Sequence, residues 1–263
     1  MDLQLKKKIA LVTGSTAGIG NAIATSLARE GASVIVNGRT EAAVDRAVAE
    51  IKSQTGGDAI GFAGDLSLAS AAEALVVQHP TVDILVNNLG IFEVRAFEDI
   101  RDADWQRFFD VNVLSGARLA RLYFPQMRAR NWGRIIFISS ESGYQIPAEM
   151  IHYGMTKAAQ IAVARGLAEL TAGTAVTVNT VLPGPTRSRG VGDFVVDMAK
   201  ASGKTAAAVE QDFFQTARPT SLLKRFATTE EVAALVTYVA SPLASATNGA
   251  ALRVDGGVIK TAF

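Results

Sequence analysis

Short apolar runs rich in β-branched residues alternate along this chain with longer, alanine-rich segments whose apolar positions recur at helical spacing. The runs lie at 9–12, 34–36, 60–63, 84–86, 135–138, 176–181 and 251–254. Each is nearly continuously apolar, the pattern of a strand buried on both faces. Between them the spacing predicts helices over 18–30, 41–54, 68–78, 102–130, 152–172 and 229–240. Alternation of this kind builds a parallel sheet flanked by helices and joined by right-handed crossovers. The expected fold is α/β, a doubly wound parallel sheet of about seven strands in a single domain over 1–263.

The rhythm breaks between Pro183 and Ser221, where prolines, glycines and a charged amphipathic stretch around 193–215 intervene. This excursion follows the sixth strand, so it falls at the carboxyl end of the sheet, where open α/β folds bind ligands. We read it as a substrate lid at about 186–220, with an ordinary surface helix pair as the alternative.

Composition narrows the chemistry. The 263 residues are 49% hydrophobic, enough for a large core without staples. Cysteine is absent, which excludes disulfides, thiolate metal sites and cysteine nucleophiles. Two histidines are too few for a polyhistidine cage, and no metal is expected. The 26 basic and 25 acidic side chains leave a formal charge of +1, so no global field recruits nucleic acid. Lysines at 6–8 precede an apolar run that ends at Thr13-Gly14, well short of the roughly 18–20 residues of a membrane span. The expectation is a cytoplasmic protein with no membrane partner.

The first strand runs into Thr13-Gly14-Ser15-Thr16-Ala17-Gly18-Ile19-Gly20 and then a helix. Glycines at 14, 18 and 20 permit a tight turn and let a pyrophosphate approach backbone N–H groups at the positive end of that helix. No lysine follows the last glycine, which argues against a triphosphate loop. The second strand ends Val36-Asn37-Gly38-Arg39-Thr40, without the acid that holds a ribose 2′-hydroxyl. Arg39 offers a guanidinium to a 2′-phosphate instead, which favours NADP(H) over NAD(H). A solvated arginine opening the next helix is the alternative.

Tyr153 and Lys157 stand four apart, on one face of a predicted helix. A free phenol, with a pKa of about 10, is a poor acid–base group at neutral pH. A nearby ammonium would stabilise the phenolate, and a tyrosine so tuned could exchange a proton with a carbonyl oxygen during hydride transfer. With four tyrosines and nine lysines, chance alone yields such a pair roughly one time in seven, so the spacing needs support. Ser139-Ser140 supplies it. The pair ends the fifth strand at the same sheet edge as the glycine turn, where Ser140 could donate to a substrate oxygen. A pair of loop hydroxyls or a helix cap is the plain alternative.

Taken in order, Gly14/Gly18/Gly20, Asn87-Asn88-Leu89-Gly90, Asn112, Ser140, Tyr153 and Lys157 resemble the pattern of the short-chain dehydrogenase/reductase family. The likeness covers essentially the whole chain, from Lys8-Ile9-Ala10-Leu11-Val12-Thr13-Gly14 to Val254-Asp255-Gly256-Gly257. It implies a Rossmann-like fold and an oxidoreductase that moves hydride between NADP(H) and a carbonyl/alcohol substrate of ketone or 3-oxoacyl type. It also implies a homotetramer or homodimer assembled through the two long helices. Tyr153 would be the acid–base and Ser140 would orient the substrate oxygen. Lys157 would bind the nicotinamide ribose and lower the tyrosine pKa, and Asn112 would support a water relaying protons from Lys157 to solvent. Ser15, Thr16 and Ile19 would join the glycines in holding the cofactor. Asp65-Leu66 would contact the adenine side, and Asn87 with Gly90 would line the cofactor near its ribose. Pro183-Gly184 with Thr186 would bracket the nicotinamide amide, with Ser188 following.

Some positions depart from that pattern or invite other readings. Leu89 replaces the usual alanine, the interval from Asp65 to Asn87 implies a trimmed helix, and Ala17 leaves the NADP(H) preference resting on Arg39. Tyr144, Gln145, Met150, Phe194, Phe213 and Phe214 are candidate pocket residues, although packing of the lid on itself explains the two adjacent phenylalanines nearly as well. Arg187 and Arg189 could meet an acidic substrate or a carrier phosphate, or be solvated. His152 is expected to point away from the site, because adjacent helix positions do not share a face. Two other functions compete: a non-catalytic NADP(H)-binding sensor or scaffold, and a lyase working without nicotinamide. The intact Tyr153, Lys157, Ser140 and Asn112 argue against the sensor, and the intact Lys157 and glycine turn against the lyase.

Overall fold

The computed structural model describes residues 1–188, 191–192, 196, 199–200 and 203–262. Among them one parallel sheet runs in the order β3-β2-β1-β4-β5-β6-β7. Its strands are β1 (Ile9–Val12), β2 (Ser33–Gly38), β3 (Ala59–Ala63), β4 (Ile84–Asn87), β5 (Gly133–Ile138), β6 (Val176–Pro183) and β7 (Ala251–Val254). The helices that position the site are α1 (Gly18–Arg29), α2 (Glu41–Thr55), α3 (Ala69–Gln78), α4 (Asp102–Phe109), α5 (Ser115–Ala129), α6 (Ile151–Glu169), α7 (Ala206–Thr216) and α8 (Thr229–Ala240).

Alternate residues of a strand point to opposite faces, so each central strand feeds two cores. Ala10, Val12, Ile84, Val86, Ile136 and Ile138 pack on one side against Ile23 and Leu27 of α1 and Val232, Val236 and Val239 of α8. Leu11, Leu85, Ile135 and Phe137 pack on the other against Leu119, Tyr123 and Met127 of α5 and Ala164 and Ala168 of α6. Burial on both sides explains why the strands read as continuous apolar runs. The chain moves outward from β1 to β3, then returns to lay β4 on the other side of β1. That reversal opens a crevice at the carboxyl ends of β1 and β4, the usual ligand position of such sheets.

All seven expected strands are present, with β2 extended to Gly38 and β6 to Pro183. The helix expected over 102–130 is interrupted. Asp110–Leu114 forms a π-helical turn between α4 and α5, a local widening that recurs at functional positions. In the excursion after β6, Phe213, Phe214 and Phe226 stack on one another with centroids 5.1 Å apart, so these rings pack the segment against itself. Arg187 pairs with Glu210 and lies over the Phe226 ring, so it is engaged within the segment rather than left open to an acidic substrate. Phe194 and Arg189 lie outside the described residues. No described helix is long and apolar enough to cross a membrane.

Asn37, buried at the end of β2, ties three segments together. Its Oδ1 accepts from the Gly14 N–H at 3.1 Å. Its Nδ2 donates to the carbonyls of Phe62 and Gly64 at 3.2 and 3.0 Å. Asn37→Ala would strand these backbone groups and is expected to cost about 1–3 kcal/mol of unfolding free energy. For a chain of this size that lowers the thermal midpoint by roughly 2–4 °C per kcal/mol. An unchanged midpoint in a calorimetric or denaturant scan would show that the clasp is dispensable.

Candidate active site

The crevice begins at the glycine turn. Gly14 and Gly18 sit at φ +60° and +59°, in the left-handed region that disfavours side chains. A Cβ on Gly20 would come within 2.5 Å of the Gly14 carbonyl, so the turn can close only with glycine there. Asn88 braces it, its Nδ2 donating to the carbonyls of Thr13 and Gly14 at 2.9 and 3.1 Å. The Ser15 hydroxyl turns inward, donating to the Val12 carbonyl at 2.7 Å and accepting from the Asn37 N–H at 3.0 Å. The Ser15 N–H likewise donates to the Asn37 carbonyl at 2.8 Å, so Ser15 serves to brace the turn. α1 starts at Gly18 with no side-chain cap at Ala17 and no acid in its first turn. Its terminal N–H groups and the positive end of its dipole are open to an anion, which fits a dinucleotide pyrophosphate.

Thr16 lies where a Cβ on Gly38 would collide with it at 2.4 Å, so Gly38 admits the turn to the end of β2. Arg39 follows, exposed and without an ion pair or hydrogen bond among the described residues. The Asp65 carboxylate holds the N–H and hydroxyl of Ser67 at 3.0 and 2.7 Å. Leu66 is buried in the α5 side of the core, so an adenine could meet only its backbone. Asn87 is buried with both amide atoms lacking partners among the described residues. Gly90 borders Lys157, since a Cβ there would lie 3.6 Å from Nζ.

At the other end, a Cβ on Gly184 would meet the Asp255 carbonyl at 2.5 Å, so glycine lets the chain leaving Pro183 pass that close. Thr186 donates from Oγ1 to the Gly184 carbonyl at 2.9 Å. Ser188 comes back against the glycine turn, its Cβ 3.3 Å from where a Cβ on Gly18 would stand. Ile19 packs against the core beneath.

Between these ends lies the chemical centre. The Ser139 hydroxyl donates to the Lys157 carbonyl at 2.7 Å, and Lys157 Nζ donates back to the Ile138 carbonyl at 2.9 Å. Lys157 Nζ also donates to Gln160 Oε1 at 3.1 Å, while Gln160 Nε2 donates to the Asn112 carbonyl at 2.6 Å. Asn112 stands in the π-helical turn. Its side chain accepts from the Ile91 N–H at 2.8 Å and donates to the Ile91 carbonyl and the Thr156 hydroxyl, both at 3.0 Å. Gln160 thus links the Lys157 amine to the Asn112 backbone carbonyl. His152, fully buried, faces Phe108 and Trp105 at 4.1 and 6.1 Å, away from this centre.

Tyr153 is half-buried, edge-on to Phe92 at 6.5 Å, and Lys157 Nζ lies 5.5 Å from its ring centroid. Burial pushes the phenol pKa up, the Glu141 charge adds to this, and Ser140 and Arg218 oppose it. Burial brings Lys157 down to about 7, against an upward pull from Glu141. The helix spacing leads one to expect an acidified phenol, and burial works against it. Desolvation is the largest influence on the Tyr153 hydroxyl and favours its neutral form.

Residues that pattern reading passed over complete the wall. Ser140 donates from Oγ to Glu141 Oε2 at 2.5 Å and accepts from the Ser142 N–H at 3.1 Å. Glu141 Oε1 accepts from Arg218 Nε at 3.0 Å, and Arg218 Nη1 reaches Glu149 at 3.3 Å. The available signal was an acid placed directly after Ser140, among residues otherwise small or apolar.

The short chain dehydrogenase profile matches residues 8–200. The chain is 48% identical over 264 residues to the uncharacterized oxidoreductase YvrD of Bacillus subtilis (strain 168), covering 99% of this chain and 100% of that one. It is 33% identical to the 3-oxoacyl-(acyl-carrier-protein) reductase FabG of Aquifex aeolicus (strain VF5), over 98% of this chain and 100% of that one. L-Sorbose reductase from Gluconobacter frateurii, solved in complex with NADPH and L-sorbose, matches with a TM-score of 0.92 at 30% identity, over 99% of this chain and 100% of that one. With this sheet order and these matches along nearly its whole length, the chain belongs to the short-chain dehydrogenase family of oxidoreductases.

Proposed function

We propose that this oxidoreductase moves a hydride between NADP(H) and a carbonyl/alcohol pair of ketone or 3-oxoacyl type, with Tyr153 as the acid–base. The observation that carries this reading is the meeting of Ser140, Tyr153 and Lys157 at the sheet edge that also bears the uncapped start of α1. NADPH in the solved L-sorbose reductase and the free Arg39 guanidinium support NADP(H), and likeness to the Aquifex reductase supports a 3-oxoacyl substrate as one candidate.

The backbone N–H groups from Thr16 to Gly20 would hold the pyrophosphate and Arg39 the 2′-phosphate. Asp65 and Leu66 would border the adenine. Asn87, Gly90 and Lys157 would face the ribose, and Pro183, Gly184 and Thr186 the nicotinamide amide. The bound cofactor supplies or accepts the hydride. In reduction, negative charge develops on the substrate oxygen, and the Tyr153 hydroxyl, neutral and close by, gives that oxygen its proton. Ser140 orients the same oxygen. Lys157 in its charged form stabilises the phenolate left behind, and Gln160 with the Asn112 carbonyl holds that amine in place. The segment at 186–220 would act as the lid, a reading supported by Arg218 reaching Glu141 beside Ser140.

Tyr153→Phe is expected to lower kcat by about 10²–10⁴-fold while NADPH affinity, followed by fluorescence titration, stays unchanged. Activity at the wild-type level would remove Tyr153 as the acid–base, whereas NADPH binding without turnover of any substrate by wild type would favour the sensor reading. Arg39→Asp is expected to lower the ratio of kcat/KM for NADPH over NADH by about tenfold or more, through loss of a charge-assisted contact and gain of a repulsive one. An unaltered ratio would remove Arg39 from cofactor selection. Both assays use a panel of simple ketones, ketoses and 3-oxoacyl thioesters, read as NADPH absorbance loss.

A further inference from the structure

We infer that Glu141 is a positioning residue of the reaction: it holds the hydroxyl of Ser140, and Arg218, from the segment after α7, locks it there. The inference rests on the carbonyl/alcohol reading proposed for Ser140 and Tyr153. Burying a carboxylate is costly unless it is paired and hydrogen-bonded, so an acid next to Ser140 calls for a physical reason. Here the Glu141 side chain is 5% exposed and that of Arg218 is 11% exposed, and both carboxylate oxygens are used. Oε2 takes the Ser140 proton, and Oε1 takes Arg218 Nε. Arg218 is itself fixed by the Ala217 carbonyl at 2.8 Å, by Glu149 just before α6, and by the Phe213 ring at 5.9 Å. The hold on Ser140 therefore depends on the segment after α7 being docked.

A hydroxyl has one proton and two lone pairs. The Ser140 proton lies on Glu141, the Ser142 N–H occupies one lone pair and the Tyr153 hydroxyl is hydrogen-bonded at the other. A substrate alcohol enters by taking the place of Tyr153 on that lone pair, with the bonds to Glu141 and Ser142 intact. A substrate carbonyl must first draw the proton away from Glu141. Charge acts in the same place. Tyr153 and Lys157 of α6 face Glu141, with Arg218 and Glu149 as the other charged groups beside it, and the Glu141 carboxylate raises the pKa of both α6 groups.

A double-mutant cycle of Ser140→Ala and Glu141→Gln in the full-length protein tests this, using the panel ketone that wild type reduces fastest and its alcohol. Each single variant is expected to lose about tenfold or more in kcat, and the double variant little beyond the worse single one, because two residues acting as a unit do not add. The pH–rate limb of Glu141→Gln should move to lower pH, since removing the carboxylate lowers both neighbouring pKa values. Additive losses with an unmoved limb would overturn the inference. If Glu141→Gln does not fold, Arg218→Lys takes its place in the cycle, with the same coupled loss expected and additivity again counting against it. A substrate-free arm records phenolate absorbance against pH, with the Tyr153→Phe spectrum subtracted. Tyr153 should begin to ionise at lower pH in Glu141→Gln, or at higher pH in Arg218→Gln, which removes the cation, and an unchanged onset would overturn the inference. If wild type reduces no panel member, the proposed function fails on its own, and this titration still decides the role of Glu141.

Discussion

The site depends on a reciprocal pair of hydrogen bonds between α6 and the end of β5. Ser139 donates to the backbone carbonyl of Lys157, and the Lys157 amine donates to the carbonyl of Ile138. A lysine buried this deeply must find acceptors or lose its charge, and the carbonyl at a strand end is an acceptor the sheet has left unused. The two bonds fix both the height and the rotation of α6 against the sheet. Tyr153, one turn earlier, is thereby placed over the same edge as Ser140, so the separation of the two hydroxyls is set by the strand rather than by the loops.

Short polar side chains do the corresponding job at the dinucleotide end. Asn37 and Asn88 satisfy the backbone of the glycine turn from either side, and Thr13 accepts from the N–H groups of Asn88 and Leu89. Inner backbone groups that would otherwise be stranded by a tight turn are paired. The N–H groups at the start of α1 are left free, because nothing in that first turn caps them. The turn is rigid where it meets the protein and open where an anion would sit.

Burial and charge pull against each other at the centre. Desolvation raises the Tyr153 pKa and lowers that of Lys157, so both groups drift toward their neutral forms. Glu141 opposes the drift at Lys157 and reinforces it at Tyr153, while Arg218 partly offsets Glu141. A helix spacing of four residues says nothing of this balance, which depends on how much water reaches each atom and on charges brought from elsewhere in the chain.

Sheet, helices and the chemical residue types were legible in the sequence, because strands buried on both faces must be apolar throughout and a turn at φ near +60° selects glycine. Gly14, Gly18, Ser140, Tyr153 and Lys157 each carry such a local signature. Asn112, Glu141, Gln160 and Arg218 do not, for their roles rest on partners far off in sequence. Asn112 meets Ile91 and Thr156 only because a π-helical turn rotates it inward, and Arg218 finds Glu141 across 77 residues. The order of apolar and polar positions by itself determined the doubly wound sheet and the edge at which chemistry gathers. Folding alone decided which donors each polar group would meet and how far water would be excluded from it, because both are properties of neighbours in space rather than in sequence.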